Sequence, residues 1–198
     1  MVTLATSTNK TIDYCRKLQT PRKTPDRTWY RLKTIPGIEN SLCQKLRQNS
    51  IPCYYPQVRV KSETEFNSNS SMFPGNVFAA LTENDAKTLS TEFLVEEIVK
   101  GQSSAQEDFI DSELNYMVFA ERLNCFYPFK KIKSCPTCPK GINGIDYIEI
   151  SDKDSGYILA IPQKRKTMEK VYFRFDSVSA NIEFALPQTF FVEMLNLK

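Results

Sequence analysis

The chain has 198 residues, 41% of them apolar and 25% charged, with 26 Lys and Arg against 23 Asp and Glu and no His. This is the composition of a globular chain with one sizeable core or two small ones; it excludes a fibre, a disordered polyelectrolyte and, since no uncharged apolar run reaches about 18 residues, a membrane span. A net charge of +3 is too small to spread a nucleic-acid footprint over the surface, so any basic patch has to be local.

Residues 1–27 carry Lys10, Arg16, Lys17, Arg22, Lys23 and Arg27 against Asp13 and Asp26 and read as a basic leader, either flexible and solvated or a phosphate-binding arm. The opening MVTLATSTNKTIDYC lacks the apolar core of a secretory signal, which makes the cytoplasm the expected compartment. Thr28 to Thr34, with the chain's single Trp at position 29, reads as a strand closed by Pro36-Gly37. Gly37 to Asn49 follows as an amphipathic helix: Ile38, Leu42 and Leu46 recur every four residues, and Glu39, Gln44, Lys45, Arg47 and Gln48 lie off that stripe on a face expected to meet solvent. Prolines at 52 and 56 make Ile51 to Lys61 extended, and the Ser- and Asn-rich stretch 62–71 is a hairpin tip. Met72-Phe73-Pro74-Gly75 then turns into the apolar run Asn76 to Leu81, the best-marked strand of this half. Thr82 or Asn84 caps a helix whose Ala86, Leu89 and Phe93 are expected to face inward, and Leu94 to Gly101 gives another strand. A capping box at Ser104 and Glu107 starts a helix running to about Leu123, with Phe109, Ile110, Leu114, Met117 and Val118 on its apolar face.

The order strand, helix, strand, loop, strand over WYRLKTIPGIENSLCQKLRQNSIPCYYPQVRVKS and SMFPGNVFAAL resembles the N-terminal domain of NusG-type transcription elongation factors, especially specialised paralogs of the RfaH and UpxY kind. Trp29, Tyr30, Glu39, Leu46, Pro56, Phe73, Pro74, Gly75 and Phe78 fit the family pattern, and Asn76 departs from it at a position usually held by Tyr. The resemblance covers 28 to about 119. It implies that Phe73, Pro74 and Phe78, with Tyr30 and Trp29 behind or beside them, contact RNA polymerase, although the same aromatics also suit a core. It further implies that Lys87 and Thr88 stand where specialised paralogs carry a polar motif touching a second part of the polymerase, and that Lys45, Gln48 and Asn49 face the non-template DNA strand. Lys45 and two amides are equally the solvated side of an ordinary helix.

Pro- and Gly-containing residues 124–144 read as a linker between a domain at 28–123 and a second at 145–198. From Ile145 the apolar period becomes two, and Asp146–Ile150, Tyr157–Ile161, Val171–Phe175, Asn181–Leu186 and Phe190–Leu195 are strand candidates. The expected class is therefore α+β: a NusG-like α/β sandwich with a four-stranded sheet, then a small SH3-like or KOW-like β-barrel, which in the family is a site for a further factor.

Cysteines at 15, 43, 53, 125, 135 and 138 are scattered and expected to be reduced. Cys135-Pro-Thr-Cys138 has no second pair and no His to complete a zinc site, so no metal is expected. Without His, a phosphate loop or a metal motif, enzymatic chemistry is poorly equipped and no cofactor is called for. The function that follows is a polymerase-binding elongation or antitermination factor that suppresses pausing or termination; the alternative is an RNA-binding or ribosome-associated two-domain protein.

Overall fold

The structure is a computed structural model and describes residues 25–58, 70–100, 104–133, 148–149, 158–161 and 168–187. Its first half runs β1 (Thr28–Lys33), α1 (Glu39–Gln48), β2 (Cys53–Tyr54), β3 (Asn76–Leu81), α2 (Glu83–Leu89), β4 (Glu97–Val99) and α3 (Ser104–Leu123). The strands form an antiparallel sheet in the order β2-β3-β1-β4, with β1 against β3 in a register from Thr28↔Leu81 to Lys33↔Asn76.

Because side chains alternate along a strand, a sheet covered on both faces needs apolar residues at successive positions, and β1 and β3 supply them. Tyr30, Leu32, Val77, Ala79 and Leu81 point to one face and pack with Leu42, Cys43 and Leu46 of α1 and Leu89 of α2. Trp29, Phe78 and Ala80 point to the other and pack with Ile110, Leu114, Met117, Ala120 and Leu123 of α3.

Two expectations fail between these elements. Phe93 is 88% exposed because α2 ends at Leu89, about one turn too early to bring it inward. Glu39, expected on the solvent side of α1, is buried. Strand pairing in the third stretch is also shorter than its proline-spaced sequence suggested, limited to Cys53 and Tyr54 with an isolated bridge from Gln57 to Ser71.

The second half contains β5 (Phe129–Ile132), β6 (Ile148–Glu149), β7 (Ile158–Ile161), β8 (Met168–Phe175) and β9 (Ala180–Pro187) in a sheet of order β5-β9-β8-β7-β6. β6 to β9 fall on four of the strand candidates; the one at 190–195 lies outside the described residues. The remaining strand, β5, comes from the stretch 124–144 read as a linker, pairing with β9 from Phe129↔Phe184 to Ile132↔Asn181. Among the described residues β5 and β6 are the two edges of an open sheet, where a closed KOW-like barrel was expected.

The two halves share one apolar cluster. Trp29, Met72, Phe73 and Phe78, the buried side of α3, and Val171, Phe173, Phe175, Ile182, Phe184 and Leu186 of β8 and β9 belong to it. The layers are thus α1 with α2, the first sheet, α3, and the second sheet. Among the described residues no helix is long and apolar enough to cross a membrane.

Candidate functional site

The Phe73–Asn76 turn is built around Gly75, whose φ of +78° suits the third position of a type II turn; the Asn76 amide donates to the Phe73 carbonyl at 3.2 Å. A Cβ at Gly75 would lie 2.8 Å from the Thr34 carbonyl oxygen, so glycine is required for space as well as for φ. The buried Glu39 carboxylate anchors this turn, accepting from the Gly75 amide at 2.7 Å and from the Gly37 amide at 2.9 Å. One side chain at the start of α1 therefore ties the two glycine turns at the same end of the sheet, and the Thr34 amide donates to the Gly75 carbonyl at 3.0 Å beside it.

From this turn Pro74 is exposed and Phe73 is 3% exposed. The cover over Phe73 includes Phe175 of β8, edge-on with ring centroids 5.2 Å apart. Phe78 and Tyr30 are buried on opposite faces of the first sheet, so neither offers a surface in this conformation: Phe78 lies under α3 and Tyr30 under the α1–α2 layer. The core reading fits Trp29, Tyr30 and Phe78, and Phe73 is the aromatic whose burial joins the two halves.

Beside Phe175, a 3-10 turn at Asp176–Val178 links β8 to β9 and is held from two sides. Glu113 of α3 accepts the Asp176 amide at 2.6 Å and the Ser177 amide at 3.1 Å. Arg31 of β1 donates from Nη1 to the Ser177 carbonyl. Burial pushes the Glu113 carboxyl up to about 7, and the hydrogen bonds from the Asp176 and Ser177 amides oppose that rise without cancelling it. Neither Glu113 nor Arg31 was singled out from the sequence. Glu113 did leave a signal, since it sits three residues after Ile110 and four before Met117, on the stripe that α3 buries.

The polar candidates occupy the other layer. Lys45 of α1 is ion-paired to Glu92, which follows α2, and its carbonyl accepts from the Asn49 side chain at 3.1 Å. Gln48 and Asn49 are exposed at the end of α1. Lys87 and Thr88 are exposed on α2, with the Thr88 hydroxyl donating to the Asn84 carbonyl at 3.0 Å. These residues are separated by the sheet from the Phe73–Phe175 contact, so the candidates divide between two faces. Arg27, counted with the basic leader, donates to the Ala80 carbonyl and pairs with Asp85 at 3.2 Å. The rest of the leader through residue 24 and the pair Cys135 and Cys138 lie outside the described residues. Among the described residues no three His, Cys, Asp or Glu side chains are grouped to hold a metal.

Residues 27–118 match the family model described as "Transcription termination factor nusG". No curated protein matches the chain. Among solved structures, the chain is similar to the one described as "Domain interaction in Thermotoga maritima NusG", at 14% identity and a TM-score of 0.40, covering 82% of this chain and 94% of that one. The match to the family model begins just before β1 and ends inside α3, taking in the whole first sheet, both helices on its far face and the Phe73–Asn76 turn: residues 27–118 are similar to the NusG family domain.

Proposed function

We propose that the chain is a transcription elongation factor that binds RNA polymerase through its NusG family domain and suppresses pausing or termination, in the manner of the specialised paralogs. The observation that carries the reading is the family match over 27–118 coinciding with the glycine turn that Glu39 anchors and that presents Phe73 and Pro74. Pro74, Lys87 and Thr88 are the candidates already at the surface, and Phe73 joins them once the 3-10 turn carrying Phe175 moves away. Lys45, Gln48 and Asn49, in the same helical layer as Lys87 and Thr88 and across the sheet from Phe73, would meet the non-template strand, with Lys45 first leaving Glu92. Binding of this kind needs no cofactor: a factor with higher affinity for the elongating state than for the paused one shifts the population towards elongation.

The test is a pull-down of purified core RNA polymerase by the full chain, with and without RNase. Retention that survives RNase supports the reading, and Pro74→Ala with Lys87→Ala should weaken it. Association that disappears with RNase would overturn it in favour of an RNA-binding role, for which the exposed Lys130, Lys131 and Lys133 at and just beyond the edge strand β5 are the natural contacts.

A further inference from the structure

β5 and the turn leading into it bring exposed cations and an exposed ring together. After α3 the Phe126 and Tyr127 amides both donate to the Leu123 carbonyl, at 2.9 and 2.8 Å, a tight turn that leaves Phe126 45% exposed. Lys130, Lys131 and Lys133 follow, all exposed, on and just beyond β5. Side chains alternate along a strand, so Lys131 falls on the side of Phe129, which packs against the shared apolar cluster, and Lys130 falls on the other. Because β5 is an edge among the described residues, both lysines reach past the sheet into solvent. The carboxylate opposite Lys130 is that of Glu183, and Lys170 holds it at 3.0 Å. Among the described residues Lys130, Lys131 and Lys133 have no ion pair. The Asn181 side chain donates to the Lys133 carbonyl at 3.3 Å and fixes the far end of the row.

We propose that this edge binds single-stranded RNA, with Phe126 stacking on a base and Lys130, Lys131 and Lys133 holding phosphates. Three cations within four residues, unmatched by carboxylates, are a local phosphate-binding density that the net charge of +3 conceals. The exposed ring narrows the class of polyanion. A lipid headgroup or a duplex offers charge without a free base face, whereas any unpaired base can stack on an aromatic side chain. Phe126 and Lys130 are at most about 14 Å apart along the chain, so ring and cations reach the same few nucleotides. The choice of RNA over DNA rests on the proposed function. There the DNA strand is taken by Lys45, Gln48 and Asn49 on α1, across the first sheet and α3 from β5, and the single strand left for the second sheet is the transcript.

The experiment titrates the full chain, without polymerase, into fluorescein-labelled oligouridine of about 12 nucleotides and follows anisotropy between about 50 and 200 mM KCl. Binding should weaken with salt. Lys130→Gln, Lys131→Gln and Lys133→Gln combined should reduce the steepness of log K against log salt by about 2, at about 0.7 per phosphate contact on a single strand. Phe126→Ala should weaken binding about tenfold at every salt concentration with the slope unchanged, and Phe126→Trp should restore it. Urea unfolding confirms that each variant is folded. The site is overturned by absence of binding at about 50 mM salt, by a slope that the three lysine substitutions leave alone, or by a Phe126→Ala affinity equal to the original. It is equally overturned if an RNA duplex or phosphatidylglycerol vesicles bind as tightly as the single strand, or if the matching DNA strand binds more tightly. Polymerase retention alongside any of these failures leaves the proposed function standing without this site; RNA binding as expected, with no polymerase retention, keeps the site and removes that function.

Discussion

Glu113→Gln should remove a pH dependence of stability that the wild-type chain carries. The carboxyl is raised from its ordinary 4.5 to about 7 in the fold, chiefly by burial. The folded state therefore holds the proton more tightly than the unfolded one, and the stabilisation this brings is complete below about 4.5 and lost as pH rises through 7. At about 1.4 kcal/mol per pH unit, the full loss is about 3 kcal/mol, of which about 2 kcal/mol falls between pH 5.5 and 8. The chain has no histidine, so no other side chain has its ordinary pKa inside that window. Urea unfolding followed by the fluorescence of Trp29, buried in the same cluster as α3, measures the difference directly. The wild type should lose about 2 kcal/mol on going from pH 5.5 to 8, and Glu113→Gln, which still offers one acceptor to the turn, should stay nearly flat. Equal slopes for the two chains would refute the reasoning, because the slope would then come from elsewhere.

Gly75→Ala places a Cβ 2.8 Å from the Thr34 oxygen at a positive φ and should cost about 1 to 3 kcal/mol in denaturant unfolding. Glu39→Ala leaves the Gly37 and Gly75 amides without their acceptor and should cost about 2 to 4 kcal/mol, with Glu39→Gln recovering part of it, both read from the same unfolding curves. Phe73→Ala should cost about 3 to 5 kcal/mol, as a buried aromatic truncation does, with the near-ultraviolet signal of the aromatic cluster changing as the Phe175 contact is lost.

Much of the first half was legible because its elements each satisfied one simple period. α1 fell within the stretch whose apolar residues recur every four positions, and α3, Ser104–Leu123, covers the stretch expected to be helical up to about Leu123. β1 and β3 were legible as strands, but their burial was not, since near-continuous apolar runs such as Val77 to Leu81 do not say which residues meet solvent and which meet a second layer. Phe93 was misplaced because its spacing from Leu89 continues a helical stripe, whereas Ser90 closes α2 first. β5 was hidden for a different reason. FKKI has its two charges adjacent at the exposed centre of an edge strand, so the sequence reads like linker, and only pairing with β9 makes it a strand. Glu39 and Glu113 were the costliest to miss. A carboxylate looks solvated in sequence, and the amides that justify burying these two lie 36 and 63 residues further along the chain, at Gly75 and Asp176.

Under the proposed function, Phe73 is uncovered more cheaply by opening the 3-10 turn than by lifting the second sheet. Lifting the sheet would break the shared cluster from Trp29 through α3 to Phe184, including the Phe119–Phe173 contact at 6.1 Å. Opening the turn breaks the Phe73–Phe175 contact, the Arg31 bond to Ser177 and the two amide bonds to Glu113, and leaves β8 paired to β9. With about 1.5 to 3 kcal/mol for the charge-assisted Arg31 bond, about 0.5 to 1.5 kcal/mol for each amide bond to the Glu113 carboxyl and about 1 kcal/mol for an edge-on aromatic pair, that opening costs about 4 to 7 kcal/mol. A partner has to bind the open form about a thousandfold or more tightly to populate it. Local opening of this kind is visible in amide hydrogen exchange. The Asp176 and Ser177 amides should exchange faster than those of Tyr172 and Phe184, and Glu113→Gln should speed the turn amides at least fivefold without changing the strand amides. Turn and strand amides exchanging at one common rate in both chains would mean that the turn opens only with the whole sheet, and Phe73 would then be reachable only at the cost of the core.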